Sequence, residues 1–322
     1  MRAIRVHKTG GPEVLQIEDV DLPVPGPEQA TVRHHAIGVN FLDVYFRSGL
    51  YPAALPLIPG SEGAGEVTAI GPGVDGFRPG DRVAYVTTPG SYAEARNLDV
   101  KHLVKLPDSI SYEQGAAMML KGLTAQYLLR STYRVEPGDT ILVHAAAGGV
   151  GQILCRWGKH LGATVIATVG SPAKAEIAKA CGADHVINYS TEDFSARVGE
   201  ITKGAKCAAV YDGVGKATFP ASLDCLRPFG VFASFGSASG PVEAFNLGLL
   251  GQKGSLYATR PTLFTHIADR ARLERMAREL FAVVGAGVVK VEISERAPLA
   301  EAARVHRELE GRRTTASIVL IP

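Results

Sequence analysis

The chain has 322 residues, which is too long for one ordinary hydrophobic core, so two domains are expected. Its 46% hydrophobic and 20% charged residues are typical of a soluble globular protein, and a net charge of +2 is too small to indicate a nucleic-acid or membrane partner. The first residues lack the long apolar core of a signal peptide, and no stretch is long enough to span a bilayer, so we expect a cytoplasmic protein.

Short strand-like runs alternate with turns rich in glycine and proline up to about residue 123. This alternation predicts a compact, mostly β first domain. The strand candidates of this domain are residues 3–6, 29–36, 65–70 and 82–86.

Residues 40–51 form the densest polar and aromatic stretch of the first domain. At helical spacing, Asn40 and Asp43 share one face of a predicted helix. An aromatic face suits a planar quinone ring, and a phenol can donate a hydrogen bond to a developing oxyanion, so Tyr45 and Tyr51 are candidate substrate contacts. The alternative is a helix capped and packed by its own residues, with half-buried tyrosines.

Catalytic zinc is disfavoured by the residue types present. Such a site needs a cluster of cysteine, histidine or carboxylate ligands with an open position, yet the first domain contains no cysteine and carries Ser61 where a ligand could have stood. The four cysteines lie in the middle of the chain without C-x-x-C spacing, so buried reduced thiols are expected. A Ser/His/Asp hydrolase is also disfavoured, because its G-x-S-x-G motif is missing.

The sequence 143–151, VHAAAGGVG, has the pattern of a dinucleotide-binding turn. A strand candidate (140–145) precedes it, a predicted helix (152–161) follows it, and a second strand candidate (164–169) lies at the expected distance. Glycines let the backbone approach a pyrophosphate, and the N–H groups and positive dipole end of the helix hold it. The candidate pyrophosphate contacts are Gly148, Gly149, Val150 and Gly151. The alternative is a tight strand–helix turn that binds nothing.

The end of the second strand indicates which dinucleotide is favoured. An NAD site usually has Asp or Glu there, which bonds the ribose 2′-hydroxyl. Here the strand ends in TVGS at 168–171, and no acid appears before Glu176. The hydroxyl of Ser171 and the ammonium of Lys174 can bind a 2′-phosphate, which favours NADPH over NADH. Lys174 alone could equally be a solvated lysine on a helix surface.

Strand and helix candidates alternate from about residue 124 to 261, which predicts a doubly wound parallel sheet. Its strand candidates are residues 140–145, 164–169, 185–188, 207–212, 231–234 and 255–259. Glycine-rich turns at 213–215 and 235–240 follow the fourth and fifth strands. The crevice of such a sheet lies beyond the carboxyl ends of its strands, so these turns favour a ligand site. Thr124, at the start of this region, could reach the cofactor or cap a helix.

The last segment is predicted to contain a helix at 263–284, a second helix at 299–309 and a strand at 316–321. A final strand needs partners, and the first domain offers them. We therefore expect the chain to build the nucleotide domain and then return to complete the first. The cleft between two such domains is the expected place for a cofactor and its substrate.

Taken in order, these motifs resemble the quinone oxidoreductase branch of the medium-chain dehydrogenase/reductase superfamily, close to the bacterial NADPH quinone reductases and the zeta-crystallins. The resemblance covers nearly the whole chain. Its motifs are GPEVL at 11–15, GVNFLD at 38–43, GSEGAG at 60–65, KGLTA at 121–125, AAAGGVG at 145–151, Asn188-Tyr189 and the final LIP.

The resemblance implies an α/β fold with two domains. A GroES-like, mostly β catalytic domain would comprise residues 1–123 and 262–322, and a Rossmann NADPH-binding domain with a doubly wound parallel sheet would comprise 124–261. It also implies a zinc-free homodimer, whose sheets often join edge to edge through the last Rossmann strand, here near 255–259.

The resemblance assigns coenzyme contacts position by position. Asn40, Tyr45 and Thr124 would lie near the nicotinamide, and Gly149 and Val150 under the pyrophosphate. The contacts around the 2′-phosphate would be Gly170, Ser171, Lys174 and Tyr189. The crevice would be lined by Gly213, Phe235, Gly236, Ser237 and Ser239, with Arg312 reaching it from the C-terminal segment.

The function favoured at this point is an NADPH:quinone oxidoreductase, with Asn40, Tyr45 and Tyr51 as candidate catalytic residues around a quinone or conjugated carbonyl. No strong general acid is evident, and none is expected to be needed, because water can protonate a reduced quinone. A reductase of enones or 2-alkenals is the rival within the class. A structural or RNA-binding role, known for zeta-crystallin relatives, is disfavoured by the near-neutral charge.

Overall fold

The computed structural model describes residues 1–311 and 316–322. The chain divides into two compact units. Unit 1 comprises Met1–Leu123, Ile267–Gly285 and Val291–Pro322, and unit 2 comprises Thr124–His266 and Ala286–Lys290. Among the described residues, no helix is both long and apolar enough to cross a membrane.

Strands and helices were numbered in chain order. The strands are β1 (Arg2–Arg5), β2 (Gln16–Asp19), β3 (Gln29–Gly38), β4 (Glu62–Ile70), β5 (Arg82–Val86), β6 (Ala95–Asp99), β7 (Leu103–Lys105), β8 (Thr140–Val143), β9 (Thr164–Val169), β10 (His185–Asn188), β11 (Cys207–Asp212), β12 (Leu226–Ser234), β13 (Tyr257–Thr259), β14 (Ile293–Pro298) and β15 (Ser317–Ile321). The α-helices are α1 (Phe41–Ser48), α2 (Tyr112–Tyr127), α3 (Gly149–His160), α4 (Pro172–Ala180), α5 (Phe194–Ile201), α6 (Ala221–Asp224), α7 (Gly248–Gln252), α8 (Leu263–His266), α9 (Arg270–Gly285) and α10 (Ala302–Glu310).

Unit 1 is built on a seven-stranded sheet in the order β14-β15-β3-β4-β5-β7, with β6 also paired to β3. The long antiparallel pair β3–β4 runs from Ala30 opposite Ile70 to Gly38 opposite Glu62. The last strand of the chain, β15, pairs with β3 of the first segment and with β14. The returning C-terminal segment therefore does find partners in the first β-rich region, as its sequence predicts.

Unit 2 contains a six-stranded sheet in the order β10-β9-β8-β11-β12-β13, and all its strand pairs are parallel. The chain builds outward from β8 to β10, and then returns to lie beside β8 with β11. This reversal is the topological switch point of a doubly wound fold, where the loops after β8 and β11 diverge and leave a crevice. The prediction of a Rossmann-type sheet is confirmed, and the central strands are buried along almost their whole length.

Several predicted boundaries are wrong for local physical reasons. The predicted strand 140–145 ends at Val143, because the backbone turns sharply at Ala145, whose φ is +51°. The predicted helix 152–161 begins earlier, at Gly149, so that the glycines form its first turn. The predicted helix 263–284 is two helices, α8 and α9, because the Asp269 carboxylate accepts the Arg272 N–H at 2.8 Å and starts a new helix.

Candidate functional site

The glycine-rich turn of unit 2 joins β8 to the amino end of α3. Gly148 is the N-cap of α3, and the first turn of this helix carries no acidic side chain. A Cβ atom at Gly151 would lie 2.4 Å from the carbonyl oxygen of Ala145 and 2.7 Å from the Cα of Ala146, so only glycine allows this close packing. The first N–H groups of a helix have no partner within it, and the amino end of α3 follows the carboxyl end of β8 through this short turn. The turn therefore forms a site suited to an anion.

A second polar turn follows β9. Ser171 is the N-cap of α4, and its hydroxyl accepts the N–H of Lys174 at 3.4 Å. A Cβ atom at Gly170 would lie 2.6 Å from the Tyr189 hydroxyl, so the phenol sits directly against this glycine. Within the described chain, the Lys174 ammonium has no hydrogen-bond or ion-pair partner, whereas Glu176 pairs with Lys179 at 2.8 Å. The four residues predicted to surround a 2′-phosphate are thus neighbours.

The loops after β11 and β12 pack against each other. A Cβ atom at Gly213 would lie 3.0 Å from the Phe235 ring, and one at Gly236 would lie 2.6 Å from the Gly213 carbonyl oxygen. The Ser239 hydroxyl donates to the carbonyl of Val214 at 2.8 Å. These predicted crevice residues therefore lie together at the carboxyl edge of the sheet, the edge that also carries the two turns described above.

The structure describes two of three other predicted coenzyme contacts. Ser237 is half-buried, and its carbonyl accepts the N–H of Gly240 at 3.0 Å. Thr124 is buried in α2, at the first residue of unit 2. Arg312 lies outside the described residues.

In unit 1, Asn40 caps α1 from a buried position. Its backbone N–H donates to the Asp43 carboxylate at 2.9 Å, and its side-chain amide donates to Glu62 at 2.7 Å. Glu62 also accepts the backbone N–H of Leu120 at 2.6 Å and lies 3.8 Å from the Lys121 ammonium. Burial raises the pKa of Glu62, whereas Lys121 and the two hydrogen bonds oppose that rise. The Asn40 amide is therefore held in one orientation.

The aromatic residues of α1 and the turn after it form a cluster. The Tyr45 and Tyr51 ring centroids are 5.3 Å apart, and Phe41 meets Tyr45 edge-on at 5.7 Å. Phe46 meets Tyr51 edge-on at 5.8 Å. All four rings are half-buried. The structure thus brings Tyr45 and Tyr51 together, while Asn40 and Asp43 occupy the buried side of the same helix.

A buried polar network that the sequence analysis did not identify holds Asp43. This carboxylate accepts hydrogen bonds from the Tyr92 hydroxyl at 3.1 Å and the Ser61 hydroxyl at 3.2 Å, as well as from Asn40. Burial raises the pKa of Asp43 to about 7, nearby Glu62 adds to the rise, and the three donors oppose it.

The network continues from Tyr92 to α10. Tyr92 lies 3.0 Å from His306 Nε2, and Arg47 lies 3.2 Å from His306 Nδ1. Because a guanidinium can only donate, Nδ1 accepts, and Nε2 carries the proton that it donates to Tyr92. Burial, assisted by Arg47, lowers the pKa of His306 to about 3. Arg47 itself is buried and pairs with Glu310 at 2.8 Å.

Asp43→Asn is expected to change how stability depends on pH. The Asp43 pKa rises from 3.8 in a free side chain to about 7 in the fold, so the folded state binds more protons between these values. The carboxyl's contribution to the free energy of unfolding is therefore largest below about pH 4 and falls as pH rises to about 7. The isosteric amide can accept from Asn40 and Tyr92 and donate to Ser61, but it does not titrate.

This expectation can be checked by urea unfolding of both proteins from pH 5 to pH 8. The difference in unfolding free energy, wild type minus variant, should decrease as pH rises. Identical pH dependence in the two proteins would show that Asp43 ionises normally.

Comparison with known proteins adds the evolutionary context. Residues 26–108 match the family model for the alcohol dehydrogenase GroES-like domain, and residues 149–271 match that for zinc-binding dehydrogenases. A quinone oxidoreductase of Pseudomonas aeruginosa is 56% identical, over 100% of this chain and 99% of that protein. A 2-haloacrylate reductase of a Burkholderia species is 45% identical, over 98% of each chain.

Solved structures show the same similarity to quinone oxidoreductases. The crystal structure of the Escherichia coli quinone oxidoreductase complexed with NADPH superposes with a TM-score of 0.97 at 48% identity, and 100% of both chains is covered. Fold, full-length identity and both domain models agree. The chain therefore belongs to the quinone oxidoreductase branch of the medium-chain dehydrogenase/reductase superfamily, whose members are oxidoreductase enzymes.

Proposed function

We propose that the protein is an NADPH-dependent quinone oxidoreductase. The observation that carries this proposal is the glycine-packed amino end of α3 at the switch point of the parallel sheet, where a pyrophosphate can be bound. We assign residues 124–261 to NADPH binding and residues 1–123 and 262–322 to catalysis. The names of the relatives, including a structure complexed with NADPH, support the assignment.

NADPH supplies a hydride when it is bound, and the residues of this chain would position the acceptor. The rings of Tyr45 and Tyr51 offer an apolar surface for a planar quinone, and a phenol can donate to its oxygen. The orientation of Asn40, fixed by Glu62, suits a contact with the carboxamide of a nicotinamide ring. Water can protonate the reduced product, so no strong acid is required.

Tyr45→Phe is accordingly expected to lower kcat by less than about tenfold, because the ring surface remains and the phenol's hydrogen bond to the quinone is not required for proton transfer. Steady-state assays with a naphthoquinone would measure this. A loss of about 10⁴-fold would instead identify the phenol as an essential proton donor.

The residues present do not fit a catalytic zinc, although one matching family model is named for zinc binding. The Ser61 hydroxyl is engaged with Asp43, and both oxygens of Glu62 accept protein hydrogen bonds. Within residues 1–311 and 316–322, no group of three or more His, Cys, Asp or Glu side chains could hold a metal ion. We therefore derive no step through a metal.

Coenzyme preference depends on Lys174. NADPH is expected to bind about tenfold or more tightly than NADH, because the Lys174 ammonium, which has no ion-pair partner among the described residues, and the Ser171 hydroxyl can both bind a 2′-phosphate. Lys174→Ala should remove most of this difference. The matched control is Lys179→Ala on the same helix, since Lys179 pairs with Glu176. Fluorescence titration measures both affinities, and equal affinities in the wild type would contradict the assignment.

Reduction of an activated carbon–carbon double bond is the second candidate function, since a 2-haloacrylate reductase is 45% identical. Parallel NADPH oxidation assays with a naphthoquinone, a 2-alkenal and 2-chloroacrylate would separate the two. We expect the highest kcat/KM with the quinone. A higher value for either alkene would favour the second function.

We also propose a homodimer that joins through β13, the edge strand of the unit 2 sheet. The aromatic side chain of Tyr257 on this strand is 62% exposed. Sedimentation equilibrium should give twice the mass of the chain.

We propose a cytoplasmic location, because the four cysteines are free and buried, as expected in a reducing compartment.

A further inference from the structure

A buried chain of polar side chains lies beneath the coenzyme loops of unit 2. His144 Nδ1 lies 2.8 Å from the Thr168 hydroxyl, and His144 Nε2 lies 3.0 Å from the Ser222 hydroxyl. The Ser222 hydroxyl has two acceptors, the Asp212 carboxylate at 3.3 Å and the Thr218 carbonyl at 3.0 Å. All four residues are at most 1% exposed. We call Thr168, His144, Ser222 and Asp212 the buried polar chain.

The hydrogen bonds of the buried polar chain run in one direction. Burial lowers the pKa of His144, with Asp212 opposing the shift, so the imidazole is neutral and carries a single proton. The Asp212 carboxylate and the Thr218 carbonyl can only accept, so the Ser222 proton goes to these acceptors and Ser222 accepts from His144 Nε2. Nδ1 then accepts from Thr168. Each side chain therefore fixes the orientation of the next.

Asp212 connects this chain to two coenzyme loops. Its Oδ1 accepts the backbone N–H groups of Val214 at 2.7 Å and Gly215 at 3.0 Å. Its Oδ2 accepts the Thr218 hydroxyl at 2.6 Å, in addition to Ser222. Its backbone carbonyl accepts the N–H of Phe235 at 2.8 Å. One residue thus fixes the loop after β11 and the start of the loop after β12.

The opposite end of the buried polar chain, at Thr168, contacts the other two loops. The backbone carbonyl of Thr168 accepts the N–H of Ala146 at 3.1 Å, within the glycine-rich turn. Thr168 is also the second-to-last residue of β9, which leads into the turn that carries Gly170 and Ser171. Because β9, β8 and β11 are adjacent in the sheet, the buried polar chain spans the carboxyl ends of all three strands.

We propose that His144, Ser222 and Asp212 are positioning residues for the coenzyme, which fix the relative placement of its binding loops before it binds. This inference rests on the proposed NADPH-dependent function. Loops that are fixed in advance need not be ordered during binding, so their conformational entropy is not lost at that step. None of the three side chains is proposed to touch the coenzyme.

Ser222→Ala tests the inference, because it removes the hydroxyl between His144 and Asp212 and leaves only a small cavity. We expect the Kd for NADPH to rise about tenfold, and the KM for the quinone to change by less than about twofold. Hydrogen exchange at the Val214 and Gly215 amides should accelerate. Thr168→Val, at the other end of the buried polar chain, should also raise the Kd for NADPH. This variant replaces Ser222→Ala as the test if Ser222→Ala does not fold.

Tyr133→Phe is the matched control at the amino edge of the same sheet. The Tyr133 hydroxyl donates to Asp139 at 3.0 Å, just before β8, and accepts from Arg227 of β12 at 3.2 Å. Loss of these bonds is expected to lower Tm while leaving the Kd for NADPH unchanged.

The outcomes distinguish the inference from the function on which it rests. If the Ser222→Ala protein has a lower Tm but binds NADPH as tightly as the wild type, the buried polar chain only stabilises the fold. That result overturns the inference and leaves the proposed function standing. If the folded wild type binds no NADPH, the proposed function fails and the inference fails with it.

Discussion

Gly151→Ala is expected to raise the Kd for NADPH about 100-fold, equivalent to roughly 3 kcal/mol of lost phosphate contacts. The added Cβ would lie 2.4 Å from the Ala145 oxygen, 2.7 Å from the Ala146 Cα and 2.8 Å from the Ala146 oxygen. These are backbone atoms, which cannot rotate away as a side chain could. The first turn of α3 must therefore move, and its N–H groups with it.

A control distinguishes this packing effect from a general effect of replacing glycine in a helix. Gly199 lies in α5, and a Cβ there would meet no atom within 4 Å. Gly199→Ala is expected to leave the Kd unchanged and to raise stability by roughly 0.5–1 kcal/mol, since alanine favours a helix more than glycine does.

Calorimetric titration and thermal unfolding of both variants check the prediction. A folded Gly151→Ala protein that binds NADPH as tightly as the wild type would contradict it. If Gly151→Ala does not fold, Gly148→Ala provides a milder case, because its Cβ would lie 3.2 Å from the Ala145 oxygen. A smaller rise in Kd is expected there.

Arg47→Ala is expected to reduce the free energy of unfolding by about 3 kcal/mol, because it leaves the Gly10 carbonyl and His306 Nδ1 without their donor and removes a buried side chain. The Arg47 side chain is 2% exposed and makes two hydrogen bonds to Glu310, at 2.8 and 3.0 Å. It also donates to the Gly10 carbonyl at 3.0 Å and to His306. Alanine would leave all three acceptors without this donor, inside the packing between α1 and α10.

Arg296→Ala is the matched control, because Arg296 also makes two hydrogen bonds to a glutamate, Glu113, at 2.6 and 2.8 Å. The Arg296 side chain is 55% exposed, so water replaces the pair when it is removed, and only a small loss is expected. Guanidinium chloride unfolding measures both variants. Equal losses would show that burial of Arg47 adds nothing to its ion pair.

How far the fold could be predicted depends on burial. The strands β9 and β11 lie at the predicted residues, because central strands of a parallel sheet are covered on both faces and read as apolar runs. In contrast, β2 at Gln16–Asp19 is mostly exposed and polar, and its sequence carries no strand signal. The α2 helix was missed because its middle, Ala116–Met119, is buried all round and shows no amphipathic period.

The same distinction applies to the candidate site. The coenzyme turns are short continuous segments whose glycines and cap residues carry a local pattern, so the sequence predicts them. The Asp43 network joins Tyr92 and His306, which are 214 residues apart in sequence, and no local pattern links them. That Glu62 holds the amide of Asn40 also follows only from the pairing of β3 with β4, which places Gly38 opposite Glu62.

Calorimetric titration of the folded wild-type protein with NADPH and NADH tests the central claim most directly, namely that the amino end of α3 and its neighbouring turns bind a nicotinamide coenzyme. The account predicts saturable binding of NADPH at one site per chain, about tenfold or more tighter than NADH. If neither reduced coenzyme binds to the folded protein, the coenzyme site and the oxidoreductase function built on it are both contradicted.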